Sequence, residues 1–176
     1  MLFRSAEKKR LEAEAAKVQS MMENMPVNVL FAGTDLKLAY INPASIKQLR
    51  ALQHLLPCRV EEMLGKSIDI FHKNPEHQRR MLADPKNLPH RATIRLGPES
   101  LDLLVSAIYD NKGNYMGPMT TWTVVTKKLE LESQIEQNAN TLSSSAEELT
   151  AISQQMAGNA EETATQANVV SAASEE

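Results

Sequence analysis

Every proline of this chain lies between Pro26 and Pro118, and residues 127 to 176 contain no proline, no aromatic residue and one glycine. Proline breaks helices and aromatic side chains fill cores, so the last segment is free to run as one helix and the middle is where a core must form. This segregation predicts a compact middle of about 100 residues, a typical domain size, flanked by helices. At 42% hydrophobic and 23% charged, the composition of the 176 residues suits that division. The boundaries fall at 1–24 for a connecting helix, 25–126 for the compact domain and 127–176 for the second helix.

The net charge of -3 carries no nucleic-acid footprint. Cys58 is the only cysteine, which excludes an intrachain disulfide and fits a reducing compartment. No apolar run approaches the roughly 20 residues needed to span a bilayer, and Met1 to Asn24 is too charged for a signal peptide. A soluble, cytoplasmic location is expected, with no membrane contact. The abrupt start at MLFRS and the polar helix that stops at Glu176 read as a fragment of a longer gene product.

Residues 6 to 24 are rich in helix formers, with Leu11, Val18 and Met21 or Met22 at near-heptad spacing. After Pro26, VNVLFAG and LKLAYIN are two strand-like runs separated by the turn signal Gly33-Thr34-Asp35. A helical stretch from Pro43 to about Leu55, the segment CRVEEMLGKS and a further helix ending near Asp84-Pro85 follow. Then RATIRLG sets Ala92, Ile94 and Leu96 on one face, and LDLLVSAIYD sets Leu101, Leu103, Val105 and Ala107 on one face. Asn111 to Asn114 is a hairpin turn signal leading to the last strand, YMGPMTTWTVVT, with Trp122 assigned to its inner face. Two strands, short helices and three antiparallel strands define an α+β fold, with helices on one side of a five-stranded antiparallel sheet. The space between helices and sheet is the natural place for a ligand.

In the tail, taking Ile135, Leu142, Leu149, Met156, Thr163 and Val170 as heptad position a puts Asn138, Ser145, Ile152, Asn159, Gln166 and Ala173 at d. The register holds without a slip, and its polar seam reads as a bundle able to shift between states. A simple dimerising stalk is the plainer alternative. Glu147, Glu148, Glu161, Glu162, Glu175 and Glu176 fall in pairs at f and g, away from the seam. Such pairs are either a solvated acidic face or, beside small residues, sites for reversible esterification that removes charge.

The stretch SIDIFHKNPEHQRR, residues 67 to 80, holds two histidines at a junction. Asn74 is a good N-cap, Pro75 suits the first helical position and Glu76 complements the helix dipole, so a helix should start there. His72 then lies on the short feeder segment among apolar neighbours, while His77 lies on the helix beside Gln78, Arg79 and Arg80. His54 and His90 fall in loop-like segments near prolines.

Taken together, YINPAS (Tyr40 to Ser45), MLGKSIDIFHKNPEHQRRML, LPHRATIRLGPESLDLLVSAIYD and TWTVVT resemble the PAS domain of cytoplasmic methyl-accepting chemotaxis proteins. The tail TLSSSAEELTAISQQMAGNAEETATQANVVSAASEE resembles the start of their signalling bundle. Among such receptors, the sequence is most similar to the soluble aerotaxis-type haem-PAS proteins. That resemblance implies haem b, held non-covalently since no CxxCH is present, with O2 or another diatomic gas as ligand. It implies His72 as the axial ligand to the iron, with His77 as its rival, Trp122 as the gas-stabilising donor and Leu103 as a pocket residue. It also implies a homodimer through the coiled coil and a chemotaxis histidine kinase with its coupling protein as partners of the full-length receptor. A methyltransferase and a methylesterase would then act at the glutamate pairs.

Read from the residues alone, Trp122 and Leu103 are equally suited to fill a core, and His72 to make a structural hydrogen bond. An enzyme is not expected: there is no Gly-rich phosphate loop, HExxH or nucleophile elbow, and Cys58 near His54 lacks an orienting group. Flavin chemistry is disfavoured because the only cysteine precedes the histidine helix. The rival to a gas sensor is a haem-free PAS domain that binds another small molecule or serves as a dimerisation and relay module.

Overall fold

The computed structural model describes residues 2–174. It divides between Thr126 and Lys127 into two compact units. The first begins with helix α1 (Leu2–Glu23), where the Asn24 side chain donates to the Ser20 carbonyl and closes the last turn. Strands β1 (Asn28–Ala32) and β2 (Leu38–Ile41) form an antiparallel hairpin, and Gly33 N–H donates to Lys37 O across its turn. Leu36 adopts a φ of 59° in that turn, a left-handed conformation uncommon outside glycine.

Helix α2 (Pro43–Ala51) follows at once, with Asn42 as its N-cap and Pro43 at its first position. It is shorter than the sequence suggests, because residues 53–55 tighten into a separate 3₁₀ turn. Two more 3₁₀ turns, Val60–Glu62 and Ile68–Phe71, lead to α3 (Pro75–Ala83). Strands β3 (His90–Leu96), β4 (Glu99–Tyr109) and β5 (Tyr115–Val124) complete a five-stranded antiparallel sheet in the order β2-β1-β5-β4-β3. The fold is thus the expected α+β arrangement.

The core joins both layers. Leu38 and Ile41 of β2, Leu49 of α2, Val60 and Met63 of the second 3₁₀ region, Leu101 of β4 and Trp122 of β5 pack as one buried cluster. Ile68, Phe71, Leu96 and Leu103 pack against it. Ile94, on the same face of β3 as Ala92 and Leu96, is exposed on this edge strand of the sheet. At Gly117, φ is 138° and an added Cβ would lie 2.0 Å from the Ala32 carbonyl oxygen, so only glycine lets β5 approach the end of β1.

The second unit is helical: α4 (Thr126–Ser174) runs for 49 residues without a break and buries none of them. The absence of proline from this segment is what permits its length. Among the described residues no helix is long and apolar enough to cross a membrane.

Candidate functional site

The floor of the site is the β4–β5 ladder. Leu103 lies directly opposite Trp122, and Ala92 of β3 lies opposite Leu103. Residues paired in this way share a sheet face, so Leu103 and Trp122 meet on the side that carries the core. Trp122 is 6% exposed, and its backbone carbonyl accepts from Asn28 Nδ2 at 3.0 Å.

A buried indole N–H needs an acceptor. Trp122 Nε1 donates to Ser45 Oγ at 3.1 Å, and Ser45 Oγ donates in turn to the Val29 carbonyl at 3.1 Å. Next to it, Asn42 Oδ1 accepts from Val29 N–H at 2.9 Å and from Ser45 N–H at 3.0 Å. Asn42 Nδ2 donates to the Val27 carbonyl at 2.8 Å. Asn42 and Ser45 are both fully buried. Together these side chains lock the end of β2 and the start of α2 onto β1 and β5.

Sequence reasoning assigned no role to Asn42 and Ser45, although YINPAS contains them. The available signal was the strand-Asn-Pro junction, the same grammar that marked Asn74-Pro75. At Asn74 the helix does start at Pro75, yet the Asn74 side chain makes no capping hydrogen bond. Of two similar dipeptides, only the buried one supplies the cap.

His72 terminates the 3₁₀ turn Ile68–Phe71 and is half-buried. Its Nδ1 lies 2.8 Å from the Ile68 carbonyl oxygen. A carbonyl only accepts, so Nδ1 carries the proton, and in the neutral ring Nε2 keeps its lone pair. The preceding residue, Phe71, packs like Leu103 against the core cluster that contains Trp122.

The segment is tied down by Asp69. Arg79 of α3 donates from Nε to Asp69 Oδ1 at 3.2 Å and from Nη2 to Oδ2 at 2.5 Å, while Asp69 N–H donates to Ser67 Oγ at 3.2 Å. The Arg79 hydrogen bond, aided by Ser67 and opposed by desolvation, holds the Asp69 carboxyl below its ordinary range. His77, on α3, is exposed, as are His54 and His90. Cys58 is half-buried, with its carbonyl accepting from Gln53 Nε2 at 2.9 Å. Among the described residues no three His, Cys, Asp or Glu side chains gather as a metal cage.

Glu147, Glu148, Glu161 and Glu162 stand exposed on α4, and Glu175 and Glu176 lie outside the described residues.

A five-stranded antiparallel sheet, with short helices and 3₁₀ turns packed on the core it shares with Trp122, is the architecture of a PAS sensor domain. The chain belongs to the PAS family, and a methyl-accepting chemotaxis protein is among the proteins it is similar to. It is 32% identical over 127 residues to the methyl-accepting chemotaxis protein McpB of Pseudomonas aeruginosa, a match covering 69% of this chain and 19% of that protein. The chain therefore spans about a fifth of the length of that curated relative. A solved structure of the Aer2 receptor from Vibrio cholerae, described as a dual PAS-haem oxygen sensor, is similar at 34% identity and a TM-score of 0.55. That match covers 57% of this chain and 95% of the other. The PAS domain of Bordetella pertussis BvgS shares the fold at 11% identity and a TM-score of 0.50, covering 73% of this chain and 98% of that one. No family model matches the sequence.

Proposed function

We propose that this chain is the sensory part of a chemoreceptor whose PAS domain binds haem b non-covalently and senses O2 or another diatomic gas. The observation that carries this is His72. With Nδ1–H held by the Ile68 carbonyl at 2.8 Å, the ring is fixed in the tautomer that leaves Nε2 as a ligand atom. Haem supplies an iron centre that needs one protein ligand and leaves a position for a gas. His72 would supply that ligand, while Phe71, Leu103 and Trp122 would exclude water from the porphyrin face. Trp122, which has one donor and no acceptor, would favour a gas ligand with a partly negative oxygen over carbon monoxide.

On this proposal the chain is a receptor and not an enzyme. Strand β5 passes through Val125 directly into α4, so Trp122 and the helix lie on one continuous stretch of backbone. The heptad row of α4 would pair with a second copy, and the full-length cytoplasmic receptor would control a chemotaxis histidine kinase through a coupling protein. Glu147, Glu148, Glu161, Glu162, Glu175 and Glu176 are the candidates for methyltransferase and methylesterase action. One observation favours the rival, a haem-free relay module: the indole N–H of Trp122 already has a partner in Ser45.

Absorption spectra of the chain with haemin, beside His72→Ala and His77→Ala, decide between them. A stoichiometric Soret band lost only in His72→Ala is expected. A folded chain that takes up no haem overturns the gas-sensor assignment, and loss only in His77→Ala moves the ligand to α3.

A further inference from the structure

We infer that Ser45 is the resting acceptor of the Trp122 indole and a positioning residue that sets how readily Trp122 donates to a ligand in the sensor core. The inference rests on the gas-binding proposal above and adds a residue and a competition to it.

Trp122 is the single tryptophan of the chain, and its indole has one N–H. That N–H is engaged by Ser45 Oγ at 3.1 Å, and both residues are buried. Ser45 is oriented for the task. Its hydroxyl hydrogen is directed to the Val29 carbonyl at 3.1 Å, so an oxygen lone pair is left to accept from the indole. The relay has one direction, from Trp122 to Ser45 to Val29.

A tryptophan cannot donate to Ser45 and to a ligand at once. Any ligand that takes the indole N–H must compete with Ser45. Losing the indole leaves Ser45 still bonded to Val29 O, so the hydroxyl keeps its donor role and no buried donor is orphaned. The exchange thus trades a neutral hydrogen bond to Ser45 for one to a partly negative ligand oxygen, with the Ser45 bond as the opposing contribution that keeps the exchange reversible. The Trp122 backbone stays in place because Asn28 Nδ2 holds its carbonyl at 3.0 Å. The exchange is therefore a side-chain movement within a fixed strand.

The test uses the full chain, loaded with haem and free of it, as Ser45→Ala, Ser45→Cys, Trp122→Phe and Ser45→Ala/Trp122→Phe. In the haem-free protein, the one indole N–H resonance should be protected from solvent exchange and lose protection in Ser45→Ala. In the loaded protein, Ser45→Ala should slow O2 dissociation by roughly three- to tenfold, the value of one neutral hydrogen bond. Carbon monoxide dissociation should change little. Ser45→Cys, a near-isosteric weaker acceptor, should fall between, which keeps the test decisive if the alanine variant folds poorly. In the Trp122→Phe background the Ser45→Ala effect should vanish. If haem loads and Trp122→Phe speeds O2 loss while neither Ser45 variant slows it, the competition is overturned and the gas-binding proposal stands. If the unsubstituted chain takes up no haem, that proposal and the ligand exchange fall together.

Discussion

The sensor unit and α4 use hydrophobic residues in opposite ways. In the sensor unit Leu38, Leu49, Val60, Met63, Leu101 and Trp122 are buried in one cluster drawn from both layers. In α4 Ile135, Leu142, Leu149 and Met156 recur at heptad spacing, and each remains 64–72% exposed. The first unit satisfies its apolar surface within one chain, whereas the second holds a regular apolar row that nothing in the described chain covers. Burial inside a chain fixes a unique packing, while a helix with an uncovered row keeps its packing choice open for another chain.

The contrast can be broken most directly at Asn42. Asn42→Ala orphans the N–H groups of Val29 and Ser45 in a fully buried site, so it should destabilise the sensor unit by about 4 kcal/mol. Urea unfolding followed by Trp122 fluorescence would show it, and a loss under 1 kcal/mol would mean that water replaces the lost cap. Met63→Ala, at a residue 1% exposed, should remove about 3 kcal/mol in the same assay through the cavity it leaves.

By comparison, Leu142→Ala changes a side chain 72% exposed and should alter the unfolding of the single chain by less than about 0.5 kcal/mol. A concentration-dependent helix signal that collapses in this variant would sharpen the contrast by showing that the row is covered by a second copy. The smallest effect is at Asp69, whose carboxyl is held down chiefly by Arg79. A depressed carboxylate contributes stability that is complete above its unfolded value and is lost as pH falls through its folded value. Asp69→Asn should therefore flatten the acid side of the stability profile, below about pH 4, and leave the neutral side parallel to the wild type. Equal acid slopes for both proteins would remove Asp69 from the account.

Much of the fold was legible locally. Strand-like runs and turn signals marked the first two strands, alternation marked the other three, and Pro43 and Pro75 marked two helix starts. The heptad row was legible because it depends only on spacing along one helix. Trp122 and Leu103 were legible as inward-facing residues of neighbouring strands. The Asn42–Ser45–Trp122 network was not, since Ser45 and Trp122 are 77 residues apart and nothing near either one names the other.

The sequence by itself determined where the backbone can be helix or strand, because proline geometry, side-chain periodicity and turn chemistry act over a few residues. Only the tertiary structure decided which asparagine caps its helix. Asn42 is enclosed and must satisfy its neighbours, whereas Asn74 has no cap bond to make. It likewise decided the partner of the Trp122 indole, which comes from 77 residues away. Those outcomes depend on desolvation, and desolvation is a property of the packed layers that no short stretch of chain possesses alone.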